Sequence, residues 1–183
     1  MQSIASVDEV FRLLDSGGSE AYFGEPVTVL EHSLQTAWFV TKQGGAETLI
    51  AAALLHDLGH LLHLEGEDAA MRALDTRHEE LAAEALGGHF PAAVIDPIRL
   101  HVAAKRYLCF ADLQYMAELS PASMESLALQ GGPMSNSESS VFLALPNAHD
   151  ATALRRADDA AKVRGLTVPG LKSYRPLIAS LWR

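Results

Sequence analysis

Apolar residues recur at helical spacing along nearly the whole chain, and no stretch alternates apolar with polar residues as a half-buried strand would. Val7 to Leu14 predicts a short first helix, ended by Gly17 and Gly18. A second begins at Pro26 and carries Val27, Leu30, Leu34, Ala37 and Phe39 to about Thr41. After the break at Gly44 and Gly45, a third runs from about residue 46 to 63, and its Ala-Ala-Ala-Leu-Leu stretch predicts burial on several sides. A fourth starts near Thr76, with Glu79 completing a capping box, and stops at Gly87 and Gly88. Pro91 opens a fifth, to about Lys105, and Ser120 with Pro121 opens another to Leu129. Beyond a glycine-rich polar loop, further helices are expected over about 138–145, 148–163 and 170–181. The pattern predicts an all-α fold: one compact helical domain over residues 1–183, with no repeat or linker.

Composition narrows the partners. The chain has 14 Lys plus Arg against 23 Asp plus Glu, a formal charge of -9, and no basic stripe. Nucleic acid and anionic membranes are therefore not expected partners, and a small anion would need locally gathered cations. No apolar run approaches the ~18–20 residues of a membrane span, and the N-terminus lacks a signal-peptide pattern. Cys109 is the single cysteine, which rules out an internal disulfide, fits a reducing cytoplasm and suits a small buried filler.

Chemistry concentrates in His56-Asp57-Leu58-Gly59-His60, inside the most apolar segment. A carboxylate buried among Ala and Leu is costly unless a cation compensates. His32, His78 and His101 lie in three other helices. Any one of these would suit a satisfied core position. Four helices carrying imidazoles around one buried aspartate instead point to metal ligation, and two ions would need about six protein ligands plus open positions. A late aspartate is also available within Arg155-Arg156-Ala157-Asp158-Asp159, where periodicity alone separates neither candidate. Lys105, four residues after His101, shares a face with a candidate ligand. His63, His89 and His149 read as surface or packing residues.

His32, His56-Asp57 and a late aspartate resemble the H…HD…D pattern of the HD-domain superfamily. Longer strings are similar to a narrower group, the HD-domain mixed-valent diiron oxygenases that cleave organophosphonates. These are Tyr22-Phe23-Gly24-Glu25, Leu30-Glu31-His32-Ser33-Leu34-Gln35, Ala52 through His60, His101-Val102-Ala103-Ala104-Lys105-Arg106-Tyr107-Leu108, Gln130-Gly131-Gly132-Pro133-Met134 and Val168-Pro169-Gly170. The resemblance implies two iron ions (Fe2+/Fe3+): one held by His32, His56 and the late aspartate, the other by His78 and His101, with Asp57 bridging. The family spacing of Arg and Asp three apart selects Arg156 with Asp159. The same resemblance implies that His60, Lys105, Ser123 and Arg156 contact a phosphonate, and that Tyr22 and Glu25 cover the site, Tyr22 at the second iron and Glu25 near a substrate amine.

The implied activity is dioxygen-dependent cleavage of the carbon–phosphorus bond of a 1-hydroxy-2-(amino or trimethylammonio)ethylphosphonate, giving phosphate and glycine or glycine betaine. The rival expectations are an HD-domain phosphohydrolase using metal-bound hydroxide, and a catalytically silent HD module.

Overall fold

The computed structural model describes residues 4–22, 24–62 and 77–183. Phe23, His63 and the expected cap at Thr76 lie outside the described residues. Helix α1 covers Val7–Gly17, α2 Val29–Lys42 and α3 Glu47–Leu55. A 3-10 turn over Leu58–Leu61 follows, then α4 (His78–Leu86), α5 (Ala92–Ala111) and α6 (Leu113–Glu118). Next come α7 (Pro121–Leu129), α8 (Asn136–Leu143) and α9 (Ala148–Ala160), and a second 3-10 turn, Leu171–Tyr174, leads into α10 (Arg175–Leu181). The fold is all-helical: among the described residues the β contribution is one isolated bridge, Ala21 with Thr28. No described helix is long and apolar enough to cross a membrane.

Caps decide where several helices begin. Thr28 and Glu31 form a reciprocal capping box, so α2 starts at Val29 and the expected start at Pro26 is three residues early. Ser120 accepts from the Ser123 amide and sets the start of α7. Asp112 accepts from the amides of Gln114 and Tyr115, which creates the short α6 that periodicity did not reveal. Helix α5 runs past Lys105 to Ala111.

The segment expected as one helix to residue 63 instead leaves α-helical geometry just after His56, and Asp57 sits at φ -97, ψ 10. Packing explains the break. A Cβ on Gly59 would lie 2.0 Å from the carbonyl oxygen of His78, so the backbone of α4 closes directly on this turn. Glycine is required there by the close approach of another chain segment.

Helix α3 is central, with Ala51, Ala52, Ala53, Leu54 and Leu55 all at 0% exposure. Its alanines let α2, α5 and α9 approach closely, and α9 also lies along both α5 and α2. Helix α4 packs on α5 and on the Leu58–Leu61 turn. Burial of Leu54, Leu55, Leu58 and Leu154 contributes about 1.5–3 kcal/mol each, which secures elements that each carry one or more polar groups inward.

Candidate metal centre

Helix α2 delivers His32, the end of α3 delivers His56 and Asp57, α4 delivers His78 and α5 delivers His101, all at 9% exposure or less. Asp57 divides its two oxygens. Its Oδ2 lies 3.6 Å from His32 Nε2 and 3.3 Å from His56 Nε2. Its Oδ1 lies 3.4 Å from His78 Nε2 and 3.7 Å from His101 Nε2. Two trios suited to a metal ion result, His32–His56–Asp57 and Asp57–His78–His101.

The hydrogen bonds of the rings set their tautomers. Nδ1 of His32 lies 3.0 Å from the Ala161 carbonyl, that of His56 2.9 Å from Ala53, and that of His101 2.7 Å from Ile98. A carbonyl only accepts, so each Nδ1 donates and each Nε2 faces the centre, with a lone pair to offer whenever its ring is neutral. Yet His32 Nε2 and His56 Nε2 are 3.3 Å apart, and His78 Nε2 and His101 Nε2 are 3.0 Å apart. A proton can bridge such a pair as a hydrogen bond, and a metal ion can take both nitrogens of a pair as ligands. The residues fit a metal-holding role, as does Asp158, whose buried Oδ1 has no hydrogen-bond partner among the described residues and lies 3.4 Å from His32 Nε2.

Protonation follows the same crowding. Burial raises the Asp57 carboxyl, but His56, His60 and His78 outweigh it and hold the group well below the usual carboxylate range. Burial lowers His56, yet Asp57 and then Asp158 carry it to about 9. Burial, then the neighbouring His56, drives His101 down to about 3. His78 falls well below its ordinary value through burial and His60. A charge concentrated on one ring suppresses charge on the others.

The late aspartate differs from expectation. Asp158, not Asp159, stands beside His32 and His56, and its Oδ2 accepts from Arg155 Nη1 at 2.9 Å. Asp159 turns instead to Arg155 and the Tyr115 hydroxyl. Arg156 lies away from the trios: it is half exposed, pairs with Asp112 at 3.1 Å and lies over the Tyr115 ring. Arg155 and Asp158 are also three apart, and that pair stands beside the trios. A signal for this exists in the sequence, because buried Ala151, Leu154 and Ala157 define a stripe to which 155 and 158 belong and 156 does not.

Beside the trios lies a polar cluster, joined to them through Arg155 and Asp158. Lys105, 2% exposed, donates to Ser126 Oγ at 2.7 Å. Burial, then Arg155, lowers its ammonium to about 7. Lys162, unforeseen from the sequence, donates to Ser123 Oγ at 2.8 Å. His60 stacks on His78 with centroids 4.0 Å apart, and its Nε2 is 4.0 Å from Asp57 Oδ1. Tyr22 and Glu25 sit in a tight turn with Gly24 at φ +80. The Tyr22 hydroxyl donates to Asp57 Oδ2 at 2.8 Å, its ring stacks on His32, and burial, then Asp57, raises its pKa well above 10.0. Glu25 reaches the polar cluster instead, accepting from Ser120 Oγ at 2.6 Å. Elsewhere, His89 stacks on Trp182, His149 is exposed, and Cys109 is a buried free thiol.

Buried histidines and aspartates from separate helices, meeting at one carboxylate, define the HD domain, and this chain belongs to that family. Its family model, described as HD domain, matches residues 29–143, which include His32, His56, Asp57, His78 and His101 and stop short of Asp158. The chain is 41% identical over 172 residues to the (1-hydroxy-2-(trimethylamino)ethyl)phosphonate dioxygenase (glycine-betaine-forming) of Leisingera caerulea, covering 94% of this chain and 88% of that protein. It is 43% identical over 175 residues to the hydroxymethylphosphonate dioxygenase of Gimesia maris, covering 95% of this chain and 87% of that protein.

Proposed function

We propose that residues 1–183 act as one cytoplasmic HD-domain dioxygenase that breaks the carbon–phosphorus bond of a 1-hydroxyalkylphosphonate, using two iron ions. The observation that carries this reading is the division of Asp57, one oxygen towards His32 and His56 and the other towards His78 and His101. A carboxylate so divided suits a bridge between two ions. His32, His56 and Asp158 would complete one ion's protein ligands, and His78 and His101 the other's. The two dioxygenase relatives have in their names a phosphonate with a hydroxyl on the adjoining carbon.

The reaction balances as R–CH(OH)–PO3(2−) plus O2 giving R–COO(−), hydrogen phosphate and a proton. The C1–P bond breaks, new C–O and P–O bonds form, and dioxygen takes the electrons. When bound, the ions supply Lewis acidity towards the C1 oxygen and the redox capacity to reduce dioxygen.

The chain's own groups bind and orient. Lys105, Arg155 and Ser123, with His60 on the His78 side of the trios, would hold a phosphonate bound beside them, and charge-assisted bonds from buried donors hold such an anion strongly. Tyr22, hydrogen-bonded to Asp57, covers the centre from the α2 side and keeps bulk water from it. Glu25, bonded to Ser120 and 3.5 Å from Lys162, would face the substituent on C1.

Anaerobic assay tests the reading. Iron-loaded protein is mixed with hydroxymethylphosphonate, 1-hydroxy-2-aminoethylphosphonate or its trimethylammonium analogue, and phosphate is measured with and without oxygen. Release is expected only with oxygen and from at least one of the three. Equal release in both conditions would overturn it in favour of a phosphohydrolase. No release at all, with no metal retained, would leave the silent module.

A further inference from the structure

The polar cluster contains three cations with unequal commitments. Arg155 is held by two carboxylates, Asp158 on one side and Asp159 on the other. Lys105 has a short bond only to a neutral partner, Ser126 Oγ, at 2.7 Å. Lys162, just beyond the end of α9, is similar: its short bond is 2.8 Å to Ser123 Oγ, while Glu25 and Asp159 both stand off at 3.5 Å. Those carboxylates have closer partners of their own, Ser120 Oγ for Glu25 and the Arg155 and Tyr115 groups for Asp159. An ammonium carries three donors, and 3.5 Å is beyond a good charge-assisted bond. Lys162 is also nearly enclosed, with 11% of its side chain exposed, so water does little to satisfy it.

We infer that Lys162 is a substrate-binding residue: with Lys105 it supplies the second of two uncommitted positive charges that match the two negative charges of a phosphonate. This rests on the phosphonate reading above. Its ammonium already touches the hydroxyl of Ser123, and an anion oxygen arriving there meets both groups. Glu25 is then the competitor: a carboxylate 3.5 Å away draws the same ammonium outward until the anion takes it. Phosphonate binding and the position of Glu25, the residue nearest the C1 substituent, are coupled through one side chain.

The test uses iron-loaded protein under nitrogen and two inert probes of similar shape. Methylphosphonate can carry two negative charges, methanesulfonate only one. Calorimetric titration of Lys162→Met is expected to show methylphosphonate binding about tenfold weaker, with methanesulfonate affected less than threefold. Lys162→Arg restores methylphosphonate to within threefold. Glu25→Gln tightens methylphosphonate two- to threefold in the wild-type background and changes nothing in Lys162→Met, because its competition acts through Lys162. Unchanged methylphosphonate binding in Lys162→Met overturns the inference, as does an equal loss of both probes, which marks a damaged site. So does wild-type protein that binds no methylphosphonate. Oxygen-dependent phosphate release by the same wild-type preparation separates the two levels. If release occurs while Lys162→Met binds normally, only Lys162 falls. If binding follows the expected pattern without oxygen-dependent release, the anion site stands and the dioxygenase reading falls.

Discussion

One step along a helix turns a side chain by about 100°, and in α9 that turn separates a group beside His32 from one that faces Tyr115. Asp158 and Asp159 have the same chemistry, so residue type gave no reason to choose between them, and the doubled Arg155-Arg156 repeated the ambiguity at the same spacing. Only the buried stripe of Ala151, Leu154 and Ala157 distinguishes the two registers. The consequence is measurable by elemental analysis of metal after loading and desalting. Asp158→Ala is expected to lose about one of two ions, or to bind it at least tenfold more weakly, because it removes a carboxylate 3.4 Å from His32. Asp159→Ala should retain both. Arg155→Ala should be strongly destabilising, since it leaves two carboxylates without their buried cation, by about 3 kcal/mol. Arg156→Ala should stay within about 0.5 kcal/mol.

The α-helical elements were legible from apolar periodicity and capping residues, and the four histidines and Asp57 from residue type combined with predicted burial. What escaped was the end of α3. Periodicity continues through His60, so a pattern of side chains cannot reveal that the backbone leaves the α-helix just after His56. The cause lies in a different element: α4 presses the carbonyl of His78 against Gly59. Gly59→Ala is accordingly expected to cost about 2 kcal/mol through forced backbone displacement, lowering Tm by roughly 4–8 °C. Since the same turn carries Asp57 and meets His78, metal retention should fall with it. Thermal unfolding and metal content measured on one preparation check both parts; an unaltered Tm would mean that α4 and the turn are less tightly apposed. Helix α6 was missed for a simpler reason, its single turn and a half being set by Asp112 bonding to two amides.

At the scale of the molecule, a net charge of -9 repels anions, so uptake of a phosphonate depends on the local cluster of Lys105, Arg155 and Lys162. Burial brings the Lys105 ammonium to about 7 in the free protein. Below that pH the cation is already present. Above it, binding an anion must take up a proton, so affinity falls as pH rises, by up to about tenfold per unit. Titrations with methanesulfonate, whose own charge is constant from roughly pH 7 to 9, should show this decline, and Lys105→Arg should flatten it. The metal centre ties α2, α3, α4, α5 and α9 together, so chelation should lower Tm by roughly 5–10 °C, the effect of losing a ligand present at about a hundred times its Kd. His56 and His101 meanwhile donate Nδ1 to carbonyls three residues earlier, Ala53 and Ile98, in the helices that carry them. Rings pinned by their own backbone keep their aim before any ion arrives. Such a socket offers the same imidazole and carboxylate donors to any divalent ion, so affinity would follow the intrinsic order of the metals, zinc above iron and iron above manganese, and the supply of metal in the cell would decide which enters.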